Sequence, residues 1–184
     1  MDISTERLFI KEFVSDDLKA LIDSRSNPKY VEMTPWDDHS EEYSKKLYDD
    51  FIRWQSESPR LRYHLAISHV EKTSLIGTTG IHIKSLDHRE AELALYLSVG
   101  FWGKGIAEEA SQAMLEFAFN KLNLHRIAAE TISENKRAIN LCYKLGMTHE
   151  GRFRQNKFYN NHWYDSIRFS ILKDEWVKMI DEEN

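Results

Sequence analysis

The sequence has one cysteine, three prolines and seven glycines among 184 residues, and each shortage removes a class of protein. A single cysteine, Cys142, cannot close an internal disulfide or build a zinc site. So little proline and glycine does not fit a disordered or linker-rich chain. No apolar run approaches the roughly 20 residues that cross a bilayer. The opening Met1-Asp2-Ile3-Ser4-Thr5-Glu6 lacks a basic stretch followed by an apolar one. A cytoplasmic protein without membrane association is expected. A basic surplus is missing as well, since the formal net charge is −5 with eight histidines counted neutral. Nucleic-acid binders generally carry an excess of Lys and Arg to offset phosphate, so that class is disfavoured. A mildly acidic surface would suit a cationic partner such as an amine, as a weak indication only.

What is present is an ordinary globular balance, 41% hydrophobic and 30% charged, with enough chain for one self-supporting core spanning 1–184. Thr5–Phe13 reads as a strand, with Leu8, Ile10 and Phe13 apolar among charged neighbours. Ser15-Asp16-Asp17 opens a helix carrying Leu18, Leu21 and Ile22, and the stretch with Pro28 and Pro35 is expected to break it. Ser40-Glu41-Glu42 opens a second helix with Tyr43, Leu47, Phe51 and Trp54 at three- to four-residue steps. Strands follow at Tyr63–Ile67, Ser74–Ile83 and Glu90–Leu97. Then come a helix from about Ile106 to Lys121, a strand at His125–Ile132, a helix at Asn135–Leu145, and paired strands over Met147–Leu172. Consecutive strands without intervening helices exclude a plain doubly wound sheet. The expectation is an α+β (mixed α/β) protein with helices on both faces of the sheet.

The most informative segment is Leu95-Tyr96-Leu97-Ser98-Val99-Gly100-Phe101-Trp102-Gly103-Lys104-Gly105-Ile106-Ala107, a strand, a glycine loop and a helix start. N–H groups of a first helical turn have no intrahelical partner, and the helix dipole adds positive charge there. Glycines let that backbone approach a ligand, so the junction can seat a pyrophosphate. A Walker loop does not fit, because Gly105 follows Lys104. A Rossmann fingerprint does not fit either, because Glu108 stands where glycine or alanine is needed. An isolated Gly-x-Gly is more often a plain helix-entry turn, and the neighbours decide against that reading.

Trp102-Gly103-Lys104-Gly105-Ile106-Ala107 resembles the Gln/Arg-x-x-Gly-x-Gly/Ala signature of the GNAT N-acetyltransferases except at its first position. With Glu108-Glu109-Ala110 it is similar to the RimJ/RimL-like branch. Asn135 to Met147 resembles the family's Asn-x-x-Ala helix ending in Lys-Leu-Gly-Phe, with Met147 for phenylalanine. Thr5-Glu6-Arg7-Leu8 resembles the branch's first strand, and Glu150–Arg154, Asn160–Asp165 and Asp174-Glu175-Trp176 resemble its closing strands. The resemblance covers nearly the whole chain in the right order. It implies a mixed, mostly antiparallel central sheet of about seven strands and acetyl-CoA as co-substrate, with no metal. The acceptor would be an amine, either a small molecule or a protein N-terminus, and family habit adds a homodimer.

The same resemblance assigns residues. Leu95, Tyr96 and Leu97 would pair their backbone with the pantetheine arm and offer an N–H to the thioester oxygen, where it would stabilise an oxyanion. Trp102, Gly103, Lys104, Gly105, Ile106, Ala107 and Glu108 would cradle the pyrophosphate. Asn135, Ala138 and Lys144 would line the other side of the cofactor, although Asn135 also suits a helix cap. The acceptor amine must lose a proton before it attacks, since a lysine-like amine has a reference pKa of about 10.4. Glu92 is the candidate base, with Glu130 as its rival. His82 and His125 are weaker candidates, since a lone strand histidine is more often structural. Cys142 stands where many relatives carry a tyrosine that protonates the departing thiolate. It is a candidate acid, against a plain packing role, while Tyr143 points elsewhere on the helix. No neighbouring base supports an acetyl-cysteine, so direct attack is preferred. Alternatives are a polyamine acetyltransferase and a non-catalytic acyl-CoA sensor, the latter suggested by the missing tyrosine. Tyr30, Trp36, Tyr43, Phe51 and Trp54 are expected to be mostly core, with one or two at the acceptor pocket.

Overall fold

The computed structural model describes residues 1–183. Among them the elements run β1 (Asp2–Ser4), β2 (Leu8–Lys11), α1 (Asp17–Arg25), α2 (Pro28–Met33), α3 (Glu41–Gln55), β3 (Arg62–His69), β4 (Lys72–Ser85) and β5 (Glu90–Leu97). They continue with α4 (Ile106–Glu116), β6 (Arg126–Ile132), α5 (Lys136–Lys144), β7 (Thr148–Tyr159), β8 (His162–Leu172) and α6 (Lys173–Glu183). The strands form one sheet ordered β1-β2-β3-β4-β5-β6-β8-β7. Every neighbouring pair is antiparallel except β5 and β6.

Strand alternation divides the sheet between two apolar layers. Leu65 and Ile67 of β3 join the larger layer, where Ala110, Met114 and Leu115 of α4, Leu145 after α5 and Trp176 of α6 pack. Ala66, between them, faces the smaller layer with Phe13, Leu21 of α1 and Phe51 of α3. Helices therefore cover both faces, as the strand and helix order implied.

Four details differ from the expected pattern. An additional strand, β1, precedes the expected first strand and pairs Ile3 with Ile10 of β2, which brings the sheet to eight strands rather than about seven. Pro28 opens α2 instead of only ending α1. The Asn27 side chain accepts the Lys29 N–H at 3.0 Å, and proline at the first helical position gives up an N–H that has no intrahelical partner anyway. The helix after the glycine loop is regular only to Glu116, and Phe117–Lys121 widens into a π-helical turn. Asp174-Glu175-Trp176 lies in the additional helix α6. Glu175 accepts the Leu172 N–H at 2.9 Å, and Trp176 is buried.

Candidate active site

The site starts from a local failure of strand pairing. Strands β5 and β6 run parallel through Glu90–Arg126, Ala91–Ile127 and Glu92–Ala128, and the pairing stops there. Both strands continue, β5 to Leu97 and β6 to Ile132, so they diverge and leave a wedge between them. Backbone polar groups on that side of β5 need another partner. A cleft of about 950 Å³ fills the wedge, with Leu93, Leu95, Tyr96 and Leu97 on one side and Ala129, Glu130, Thr131 and Ile132 on the other. At its far end the Trp102 indole N–H donates to the Leu97 carbonyl at 2.7 Å. That oxygen is taken, and the open edge lies upstream of it.

The glycine loop forms the mouth of the wedge. Gly103 and Gly105 have φ of +73° and +75°, a conformation in which a side chain costs energy and glycine does not. A Cβ on Gly103 would touch nothing within 4 Å, so backbone geometry alone asks for glycine there, and the loop face stays bare. Gly105 leads directly into α4. The loop is tied to the start of the chain. Glu109, in the first turn of α4, accepts from Arg7 N at 2.9 Å and Arg7 Nε at 2.6 Å, and Arg7 Nη1 donates to the Lys104 carbonyl at 2.9 Å. Burial raises the Glu109 pKa, yet the bonds from Thr5 and Arg7 outweigh it and hold the carboxyl below its usual range.

Helix α5 closes the other side. Asn135 caps it, accepting the Ala138 N–H at 3.2 Å, and also lines the cleft with Ala138. Lys144 and Glu108 meet across the mouth at 2.9 Å. The Arg137 guanidinium lies 4.4 Å from the Trp102 ring centre, within cation–π range. Of the fifteen residues made up by the thirteen cofactor candidates with Glu92 and Cys142, thirteen line this one cleft, and Lys104 and Ile106 do not. The Lys104 ammonium sits over the Phe101 ring, and Ile106 is buried in the core.

The opposite wall is charged. Glu92 pairs with Lys84 at 2.7 Å and Arg168 at 3.4 Å, and Glu130 pairs with Lys157 at 3.0 Å and Arg168 at 3.8 Å. Burial raises the Glu130 pKa, but the Lys157 and Ser166 bonds and the nearby cations bring it below the ordinary carboxylate range. Both glutamates line the cleft, and each is held by a lysine and by Arg168. His82 lies outside the cleft wall, bonded to His64 at 3.0 Å, with its pKa lowered to about 4 by burial first and by Lys84 and Arg62 next. His125 is also absent from the wall.

Cys142 does reach the wall, but burial pushes its thiol up to about 12. Such a thiol stays protonated and gives up its proton reluctantly. Tyr143 is exposed and sets its ring edge-on to Phe169 at 5.2 Å, outside the cleft. Of the early aromatics, Tyr30 and Trp36 line the cleft. Phe51 stacks on His64 at 3.9 Å, Trp54 packs beside it, and Tyr43 lies under Arg25. The Tyr30 hydroxyl donates to Asp37 at 2.9 Å, and Arg25 holds both Asp37 oxygens at 3.0 Å. A tie from Asn160 Nδ2 to the Pro35 carbonyl at 2.5 Å joins the β7–β8 turn to this region. Among the described residues no cluster of three or more metal-ligating side chains occurs, and no helix is long and apolar enough to cross a membrane.

Residues 7–148 match the family described as the acetyltransferase (GNAT) domain. The chain belongs to the GNAT acetyltransferases. This acetyltransferase is 30% identical over 176 residues to the uncharacterized N-acetyltransferase YnaD of Bacillus subtilis (strain 168), covering 96% of this chain and 99% of that one. It is 31% identical over 132 residues to the spermidine N(1)-acetyltransferase of Escherichia coli (strain K12), covering 71% and 67% of the two chains. A similar fold is found in the crystal structure of spermidine N-acetyltransferase from Vibrio cholerae in complex with CoA and spermine. The TM-score is 0.77 at 22% identity, with 94% of this chain and 99% of that one covered.

Several lining residues of the GNAT cleft carried no separate signal in the sequence. Arg137 sits inside a recognised motif, at a position where the pattern asks for nothing in particular. Lys84, Lys157 and Asp37 come from three distant segments. Each is one more charged surface residue until the fold brings it to the wall.

Proposed function

We propose that this acetyltransferase carries the acetyl group of acetyl-CoA directly onto a primary amine in a ternary complex. In this reading its 184 residues work as one domain of the RimJ/RimL-like branch. The observation that supports this reading best is the open backbone edge of β5 beside the bare glycine loop. An extended arm can pair with the first and a diphosphate can sit on the second. When bound, acetyl-CoA supplies an activated acyl group as a thioester. Loop N–H groups and the α4 dipole hold the phosphates, with Arg137 adding charge from α5. A backbone N–H of β5 faces the acyl oxygen and stabilises charge that develops there.

Glu92 takes the proton from the incoming ammonium, so that the amine attacks as a neutral nucleophile. Cys142 is assigned to packing. A thiol at about 12 is a weaker acid than an ordinary thiol near ~8.5, so it would protonate a leaving thiolate uphill. The acylated nitrogen then releases its second proton to solvent, and the departing sulfur takes one from solvent. A polyamine acceptor is the second reading, favoured by the relative named for spermidine. The test is thiol release from acetyl-CoA against a panel of polyamines, amino-sugar amines and short peptides. Release that depends on one acceptor class establishes the transfer and names the class. Tight binding without release for any amine makes the protein a sensor, and absence of binding removes the reading altogether.

A further inference from the structure

The charges that line the cleft are unusual for a site that would hold a polycation. The lining carboxylates among the described residues are Asp37, Glu92, Glu108 and Glu130, and each is matched by a cation: Arg25, Lys84 with Arg168, Lys144, and Lys157 with Arg168. Lys84, Arg137, Lys144 and Lys157 themselves line the cleft, while Arg25 and Arg168 stand behind it. A spermidine-like chain presents several ammonium groups, and each needs a carboxylate that is not already neutralised. Here every such carboxylate is shared, and Arg168 divides itself among Glu90, Glu92 and Glu130 at 3.5, 3.4 and 3.8 Å.

The two lysines on the acceptor wall differ from the arginines behind it. Lys84 and Lys157 are 51% and 39% exposed, against 6% for Arg25 and 25% for Arg168. The arginines are fixed parts of the wall. The ammonium heads are on flexible stems, within reach of solvent, and can turn toward a second anion without leaving a buried carboxylate unpaired, because Arg168 remains. We infer that the acceptor is an amine that also carries a carboxylate, of the amino-acid or free-C-terminal short-peptide kind. Lys84 and Lys157 read that anion, and Glu92, left by Lys84 to Arg168 alone, receives the single amine. The assignment rests on the acetyl-transfer reading above and specifies the substrate class of the same cleft.

The test measures acetyl-CoA thiol release with pairs that differ only in the anion: 4-aminobutyrate against its amide, and a dipeptide against its C-terminal amide, with spermidine alongside. The carboxylate member should show kcat/KM at least about tenfold above its amide, the size of one charge-assisted hydrogen bond, and spermidine should rank below both. Lys157→Met should raise KM for the carboxylates about tenfold and leave KM for the amides unchanged, whereas a merely structural lysine would shift both series together. Lys157→Glu should invert the ranking toward spermidine. Equal rates within each pair, a preference for spermidine in the parent protein, or a joint shift of both series in Lys157→Met would overturn the assignment. Acetyl-CoA binding without release by any carboxylate-bearing amine would also overturn it, and leave cofactor recognition standing. Failure to bind acetyl-CoA in a direct titration would remove the transfer reading itself.

Discussion

The two walls of the cleft are built in opposite ways. The mouth, made by the glycine loop, the start of α4 and helix α5, is drawn from two contiguous segments, with Gly103, Gly105, Ala107 and Ala138 set among larger side chains such as Trp102 and Arg137. The opposite wall is side-chain charge, contributed by β4, β5, β6, β7 and β8, with Arg168 as its hub. A diphosphate can be held by groups that every residue carries, provided the chain turns correctly, so the first wall needs little more than glycine placement. Discrimination between amines needs specific charges at specific points, which only separate strands can bring together. The first wall therefore suits a shared co-substrate, and the second suits a substrate that differs from one relative to the next.

The comparison breaks most sharply at Arg168. Arg168→Met leaves Glu90, Glu92 and Glu130 short of one cation, and leaving partly buried charge unpaired costs about 1–3 kcal/mol. Acceptor-dependent turnover should fall on the order of 100-fold, while acetyl-CoA affinity, measured by calorimetry, stays unchanged. An equal loss of cofactor affinity would mean that the walls are not independent.

Acid should act on the same side of the sheet next. His82 is bonded to His64, packs on Trp54 and sits near Arg62, Lys84 and Glu92. Its folded value of about 4 lies below the ordinary 6.5, so between those limits the unfolded chain takes up the proton first. This stability is fully present above pH 6.5 and is lost as pH falls toward 4, on the order of 2–3 kcal/mol. Glu109, Glu130 and Glu150, whose folded values are also depressed, add a further loss below their ordinary 4.5. Urea unfolding between pH 7 and pH 4 should show the decline, and His82→Gln should flatten its upper part.

Changes at the mouth should be smaller and of the other kind. Gly105→Ala places a Cβ in a left-handed conformation, 3.3 Å from Arg7 Nη2, at a cost of about 1–2 kcal/mol. It should weaken acetyl-CoA binding without altering the ranking of acceptors. Arg137→Ala removes the guanidinium from Trp102, a contact worth about 0.5–1 kcal/mol. A shift of several-fold in acetyl-CoA Kd, with acceptor KM constant, would sharpen the division between the walls.

Legibility followed the same division. The glycine loop, the α5 cap and the order of strands and helices were readable because each depends on residues within a few positions of one another. Pro28 shows the limit of such reading, since the proline that ends one helix can open the next, and Asn27 decides which. Strand β1 was missed because three residues carry too little alternation to stand out from a turn. Cys142 was visible as a departure from the family pattern, but its role depends on burial, which puts its thiol out of useful range.

By itself the sequence determined the α+β order, the GNAT resemblance and the glycine turn into α4, because propensity, periodicity and glycine conformation are local properties. Tertiary structure decided where β5 and β6 part and which carboxylates keep a cation at their side. Those outcomes depend on charges that are distant along the chain and only ångströms apart once the sheet has formed, and on the burial that sets how strongly they act on one another.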